Sequence, residues 1–183
     1  MIAMDRFYRV DNLIPTLHQR DRVRGSSDAP IVLVEYGDYG CPRSGELYFS
    51  IERLQAQLGD RLLFVFRHFP QTHLHPQAQK AAETAEAAAA QNRFWQMHDL
   101  LCQHPQALTD ADLVGYAVQL NLDIPRLLTE LAERVHQERV QSDIDSGQQL
   151  GIKHAPMCLI GIRCQTDRDL KDFLQVILTA LSA

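Results

Sequence analysis

The chain lacks any apolar run approaching the roughly 20 residues that a helix needs to cross a membrane, and it lacks a basic block. Its 18 Lys and Arg are scattered and outnumbered by 23 Asp and Glu, for a formal net charge of −5. No cluster is present to grip phosphates, so neither nucleic acid nor a membrane span is expected. The opening stretch MIAMDRFYRVDNLIPTLHQR carries charges throughout and has no apolar signal core, which gives a cytoplasmic protein as the expectation. Cysteine is sparse, with four residues at 41, 102, 158 and 164. Their spacing matches no zinc or iron–sulfur pattern, so no metal is expected. A chain of 183 residues can bury a core without a disulfide framework. The default reading is four free thiols, most of them packed as small hydrophobes. Internal repeats and low-complexity linkers are also missing. The composition, 45% hydrophobic and 22% charged, is that of an ordinary globular chain of one domain with a subdomain inserted in it.

What is present reads as an α/β order. Residues 1–24 are polar and mixed, an arm with one short element. After the turn cluster at 25–30 comes IVLVEYG (31–37), rich in β-branched residues and nearly all apolar, a buried central strand. Asp38-Tyr39-Gly40 breaks it. Pro42 suits the first turn of a helix, and Leu47, Ile51, Leu54 and Leu58 recur at helical spacing, which predicts an amphipathic helix over 42–58. RLLFVFRHF (61–69) is a second buried strand, so the first unit is a right-handed parallel strand–helix–strand. The middle of the chain is helical. An alanine-rich helix spans 76–91 and a short one runs from Phe94 to Cys102. Thr109 and Asp112 form a capping-box pattern that opens a helix through Leu120, and Asp123 caps a longer one that runs, with or without a break, to about Leu150. MCLIGIRCQ (157–165) returns to strand character, as a hairpin or a bent strand around Gly161, and 168–181 is a last amphipathic helix. The domain reading is an arm (1–24), a thioredoxin-order domain (25–72 plus 151–183) and an inserted helical subdomain (73–150).

Cys41 stands where the buried strand ends and the helix begins. Backbone N–H groups at a helix start have no intrahelical partner and point outward, and the helix dipole adds partial positive charge. Both favour a thiolate, which is the nucleophile of disulfide exchange. Arg43 adds a cation. Ser44 is three residues on, on the same helical face as the sulfur, so its hydroxyl is expected to hydrogen-bond it; it cannot attack a mixed disulfide. The alternative reading of the same residues is a small side chain at a strand–helix junction followed by an ordinary first-turn serine. Glu35, in a buried strand, is a candidate for proton transfer if its pKa is raised, with pairing to Arg or Lys as the alternative. Asp38 and Tyr39 are expected to shape the rim. His68, His73 and His75 cluster after the second strand and read as structural or exposed. Trp95, Met97 and Cys102 read as core.

The blocks DAPIVLVEYGDYGCP (28–42), FVFRHFP (64–70), HPQAQKAAETAEAA (75–88), FWQMHDLL (94–101) and HAP (154–156) occur in the order found in one family. Through them, residues 23 to about 160 resemble the DsbA-like thioredoxin-fold family, especially the domains fused to some bacterial sodium/proton antiporters. The resemblance implies a thioredoxin fold with an inserted all-helical subdomain, and thiol–disulfide exchange with protein thiols or disulfides. It puts Cys41 in the place of the attacking cysteine, Pro42 and Arg43 in the two middle positions, and Ala155-Pro156 in the loop whose proline is cis and lies against the sulfur. Ser44 stands where the family has its second, resolving cysteine. After Pro156 the family's glycine is displaced to Gly161. The loss of the second thiol leaves three routes: resolution by an external thiol such as glutathione, resolution by Cys158 or Cys164, or a fold kept for binding alone. The leading expectation is a monothiol (CPRS) oxidoreductase with an exposed, reactive Cys41. The alternatives are a non-catalytic binding or regulatory module and a glutathione-dependent transferase-like activity. No resident cofactor is expected, with glutathione the candidate co-substrate.

Overall fold

A computed structural model of the chain describes residues 8–10, 15–162, 175–177 and 179. Two strands form its centre, β3 (Ile31–Gly37) and β4 (Leu62–His68), and every residue of both is buried. They are parallel, in register from Ile31 opposite Leu62 to Gly37 opposite His68. Between them runs α1 (Pro42–Leu58), closed by a 3-10 turn at Gly59–Arg61. β5 (Met157–Ile162) pairs antiparallel with the other edge of β3. Side chains alternate along a strand, so each face of the sheet has its own core. Ile31, Leu33, Phe64, Phe66, Cys158 and Ile160 pack under α1, while Val32, Val34, Tyr36, Leu63, Val65 and Leu159 pack on the opposite face.

Among the described residues the sheet has five strands, in the order β1-β5-β3-β4-β2. Two of them come from the segment read as an arm with one short element. β1 (Tyr8–Val10) runs parallel to β5, and β2 (Arg22–Arg24) runs antiparallel to β4. Each is 3 residues long, too short for a period-two pattern to stand out. Their positions at the two edges suit short, charged strands. Gly25 follows β2 in a left-handed conformation (φ 109°), and a Cβ there would sit 2.2 Å from the Leu62 carbonyl oxygen; only glycine lets the chain cross β4 so closely.

Between β4 and β5 lie α2 (Ala78–Ala89), α3 (Phe94–Gln103), α4 (Asp110–Gln119), α5 (Ile124–Ala132) and α6 (Gln137–Gln149). The small side chains of Ala81, Ala82, Ala85 and Ala88 are fully covered, which lets α2 sit close to its neighbours. Thr109 and Asp112 form the reciprocal capping box at the start of α4, and Asp123 Oδ1 accepts the Arg126 N–H at the start of α5. The helix expected from Asp123 onward is broken at 133–136, where Arg134 takes a positive φ of 54°. α6, read as part of the insertion, also covers the second face of the sheet: a Cβ on its Gly147 would lie 2.9 Å from the Phe69 ring and 3.0 Å from that of Tyr36. The expected strand beyond Ile162, Cys164, and most of the expected last helix lie outside the described residues. Residues 175–177 are helical, and Ile177 joins the core under α1.

Charged side chains pin these layers together. Arg67, on β4, is 1% exposed and places all five of its N–H donors. Nε and Nη2 hold Asp21 at 2.9 and 2.8 Å, Nη2 also reaches the Thr16 carbonyl at 2.8 Å, and Nη1 reaches Tyr36 Oη at 2.9 Å and Ser146 Oγ at 3.3 Å. One side chain thereby ties the N-terminal segment, β3 and α6 to β4. Arg67→Ala strands the Asp21 carboxylate, itself 2% exposed, and a buried charge left unpaired costs about 3–5 kcal/mol. Urea denaturation of the variant is expected to show a loss of that size; a loss under 1 kcal/mol would mean that the clamp is dispensable.

Candidate active site at the start of the first helix

Cys41 is the N-cap residue of α1, with extended φ and ψ of −89° and 118° and Pro42 just inside the helix. Its carbonyl accepts the Ser44 N–H at 2.9 Å, and its own N–H donates to the Asp38 carbonyl at 3.0 Å. The Ala155–Pro156 peptide is cis, and Cys41 Sγ lies 3.8 Å from the Ala155 carbonyl oxygen. Pro42 and Arg43 are exposed beside it, whereas Ala155 and Pro156 are buried. Cys41, Pro42, Arg43, Ala155 and Pro156 therefore do meet at one end of the sheet. The expected exposure of Cys41 is corrected: the residue is 8% accessible, because the 154–156 loop folds down over it.

Ser44 is 3% exposed and turned inward, and its Oγ accepts the Asp38 N–H at 3.3 Å. The bond expected from Ser44 to the sulfur is not among the contacts of the described residues; the loop before the helix takes that hydroxyl instead. Glu35 lies in β3 opposite Cys158. Its carboxyl is 3% exposed, has no ion-pair partner among the described residues, and is pushed up to about 8 by burial alone. The pairing to Arg or Lys held open from the sequence is absent there. Cys158 and Cys102 belong to the core under α1, at 0% and 4% exposure. Burial raises both thiols well above their ordinary range, and the nearby Glu35 adds to the shift.

Around Cys41, three residues assigned no role at the site from the sequence, Gly40, Gln71 and His75, converge on Asp38, which was expected on the rim. Its carboxylate is wholly buried. Oδ1 accepts the Gly40 N–H at 2.8 Å; Oδ2 accepts the Gln71 N–H at 2.9 Å and faces His75 Nδ1 at 2.8 Å. Gln71 in turn holds the cis-proline loop, since its Oε1 accepts the Ala155 N–H at 2.9 Å and its Nε2 lies 3.4 Å from His154 Nδ1. Of the three histidines read as structural or exposed, His68 is the buried one, 2.9 Å from Glu86 Oε1, whereas His75 is at the site. Tyr39, expected on the rim, points into the core and bonds His98 Nδ1 at 3.0 Å. Beside Gln71 opens a cleft of about 490 Å³ bordered by Phe69, Thr72, His73, Ile152 and Lys153. Among the described residues no three His, Cys, Asp or Glu side chains gather as a metal site would require, and no helix is long and apolar enough to cross a membrane.

A sheet with α1 on one face, a cysteine at that helix's N-cap and a cis-proline loop over the sulfur define a thioredoxin-like protein. Comparison with known proteins agrees: a family model described as Thioredoxin matches residues 18–178, and the chain belongs to that family. It is 40% identical over 154 residues to the Na(+)/H(+) antiporter NhaA 1 of Salinispora arenicola, which covers 84% of this chain and 24% of the antiporter. It is 35% identical over 158 residues to the antiporter NhaA of Herminiimonas arsenicoxydans, covering 86% and 25%. The chain thus spans about a quarter of the length of these relatives. Among solved structures it is similar to oxidised BdbD of Bacillus subtilis (TM-score 0.69, 22% identity, 90% and 95% of the two chains). It is also similar to the catalytic domain of Proteus mirabilis ScsC (TM-score 0.68, 19% identity, 91% and 92%). The fold is the DsbA-like one, a thioredoxin fold with a helical insertion.

Glu35 gives this site a pH signature. Its carboxyl is protonated in the fold up to about pH 8 and ionises near its ordinary 4.5 once unfolded. Below 4.5 the two states bind the same proton; as the pH rises from there to 8 the unfolded chain releases it first, and stability falls. The shift corresponds to about 5 kcal/mol, read as an order of magnitude. Glu35→Gln removes this titration, so the variant is expected to gain on the native chain steadily in thermal unfolding from pH 5 to pH 8. A difference in Tm that stays constant over that range would show that Glu35 titrates normally.

Proposed function

We propose that the chain is a monothiol thiol–disulfide oxidoreductase. Cys41 attacks a disulfide or a glutathionylated thiol, and an external thiol, with glutathione the first candidate, resolves the mixed disulfide. The supporting observation is the placement of the thiols. Cys41 is at the N-cap, outside both core clusters, with its sulfur at the Ala155 carbonyl. Cys102 and Cys158 are sealed in the core under α1 with their thiols held protonated. The position of a second active-site thiol holds Ser44, whose oxygen can accept a hydrogen bond but cannot take part in disulfide exchange. Pro42, Arg43 and the 155–156 loop contact the substrate, and the cleft beside Gln71 gives room for the polypeptide around its disulfide.

The low exposure of Cys41 favours a second reading, a binding module on the same fold that does not turn over. One experiment separates the two. The purified chain is given a glutathionylated peptide and excess glutathione, and both oxidised glutathione and the protein-bound adduct are followed. Turnover is expected, with one glutathionyl group on Cys41 found by mass spectrometry when glutathione is withheld. Cys41→Ser is expected to lose activity at least 100-fold, and Ser44→Cys to stop the adduct from accumulating. A native chain that forms no adduct and no product is the outcome of the binding-module reading.

A further inference from the structure

The exchange proposed above leaves one chemical requirement unmet. An ordinary external thiol has a pKa of about 8.5 and is only a few per cent thiolate at neutral pH. A monothiol enzyme that depends on one therefore gains from a base at the site. Ser44 Oγ accepts a backbone N–H. Glu35 sits with Cys102 and Cys158 on the core side of the sheet and is 3% exposed. His75 is placed differently. Its Nδ1 faces the wholly buried Asp38 carboxylate at 2.8 Å, while its own side chain keeps 22% of its surface exposed. Donation from Nδ1–H to a carboxylate fixes the proton on that nitrogen and leaves the lone pair on Nε2. The ring is held against the residue before the nucleophile. A Cβ on Gly40, the residue before Cys41, would lie 2.6 Å from His75 Cβ and 3.1 Å from Cγ. Asp38, which orients His75, also binds the Cys41 N–H through its carbonyl and the Gly40 N–H through Oδ1. A nucleophile, a nitrogen base and a carboxylate that orients the base are the parts of an assisted nucleophilic site.

We propose that His75 is the proton-transfer residue of exchange at Cys41, with Asp38 as its positioning residue. The proposal rests on the monothiol reading. In the first step the Cys41 thiolate attacks a disulfide RS–SR′. The bond from Cys41 Sγ to the RS sulfur forms, the S–S bond breaks, and R′S⁻ leaves with the proton of the His75 imidazolium. In the second step an external thiol R″SH gives its proton to His75 Nε2 and attacks the RS sulfur. RS–SR″ forms and Cys41 leaves as thiolate, so enzyme and imidazolium are restored. The sum is RS–SR′ plus R″SH giving R′SH plus RS–SR″, with no net change in redox state. Other ionisable residues in the described segments that meet here include Glu35 on β3, Tyr39 on the loop before Cys41, His73 on the His75 loop, Arg43 on α1, and Lys153 and His154 ahead of β5. Of these, His154 is engaged with Gln71 through Nδ1.

The test isolates the second step. The Cys41–glutathione adduct is prepared, and its resolution by glutathione is timed from pH 6 to pH 9.5 in the native chain, His75→Asn and His75→Gln, with circular dichroism to confirm that each folds. At pH 7 both variants are expected to be up to about 30-fold slower, since only about one part in 30 of a thiol of pKa about 8.5 is ionised there. They should converge on the native rate near pH 9.5, where glutathione ionises unaided. Added imidazole is expected to restore part of the rate at pH 7, and an aromatic thiol that is already ionised at pH 7 should resolve all three adducts equally. Equal rates in native and variant chains, or a loss of the same size at every pH and with both thiols, overturns the proposal while leaving the monothiol reading intact. A native chain that forms no adduct overturns both.

Discussion

The site depends on one buried carboxylate. Asp38 lies at the point where β3 has ended and α1 has not begun, and it has no ion pair with Lys or Arg among the described residues. Its charge is held instead by the N–H groups of Gly40 and Gln71 and by the His75 ring. Hydrogen bonds to a charged acceptor are roughly twice as strong as neutral ones, and losing one in the interior leaves the charge exposed to a low dielectric. Two loops far apart in sequence, 38–41 and 71–75, are therefore fixed to each other. A third is fixed through them, because the Gln71 whose backbone binds Asp38 also holds the Ala155 N–H with its side chain. The position of the Cys41 sulfur against Ala155 follows from this chain of contacts.

The frame that holds those loops is built in the same manner, with charges inside. Arg67 and His68 are consecutive residues at the end of β4 and face opposite sides of the sheet. Arg67 gathers Asp21, Thr16, Tyr36 and Ser146 on one side. On the other, the His68 ring meets Glu86 of α2, which also pairs with Arg22 of β2. The His68 N–H meanwhile reaches Asp143 of α6 at 2.9 Å. His68 and Arg22 together hold the Glu86 carboxyl far below its usual range. Buried ion pairs of this kind add little net stability over a well-packed apolar core, but removing one partner is costly. Through them the helical insertion and the N-terminal segment are joined to the sheet. That docking sets the end of β4 and with it the loop that carries Gln71 and His75.

The sequence made the centre of this fold legible because the central elements are long and periodic. Seven buried residues in each of β3 and β4, a helix with leucines at regular spacing, and reciprocal caps at Thr109 and Asp123 are local signals with one reading. The edge strands were not legible, since three residues of mixed polarity such as Arg22–Arg24 carry no period and are defined by pairing with β4. The reach of α6 over the second sheet face was hidden for a related reason. Its mean character is polar, and its contact with the sheet runs through Gly147, whose lack of a side chain is the point. At the site, Cys41, Pro42, Arg43 and the 155–156 loop could be read because they sit in a motif. Asp38, Gln71 and His75 could not be assigned, because their roles arise from distances between residues 33 and 37 positions apart. The available hint was the run of polar residues directly after a buried strand, and it pointed to the right loop without saying which side chain turned inward. Cys41 was read as exposed for want of any local signal that the 154–156 loop would cover it.

The distribution of thiols and bases then narrows the chemistry. A dithiol site carries its own resolving nucleophile on the same helix and has little need of a base for an incoming thiol. Here the equivalent side chain is a serine drawn into the loop network, and the other described cysteines lie in a core whose burial and whose neighbour Glu35 both disfavour their thiolates. The same desolvation that makes Cys102 and Cys158 inert also keeps Glu35 protonated near neutrality. Charge at this end of the molecule is concentrated instead on the loop side, in Asp38 and the groups that face it. On the monothiol reading proposed above, Cys41 and the ionisable groups around Asp38 lie where a bound thiol can reach them, and this arrangement suits resolution by an external thiol rather than by a second cysteine of the chain.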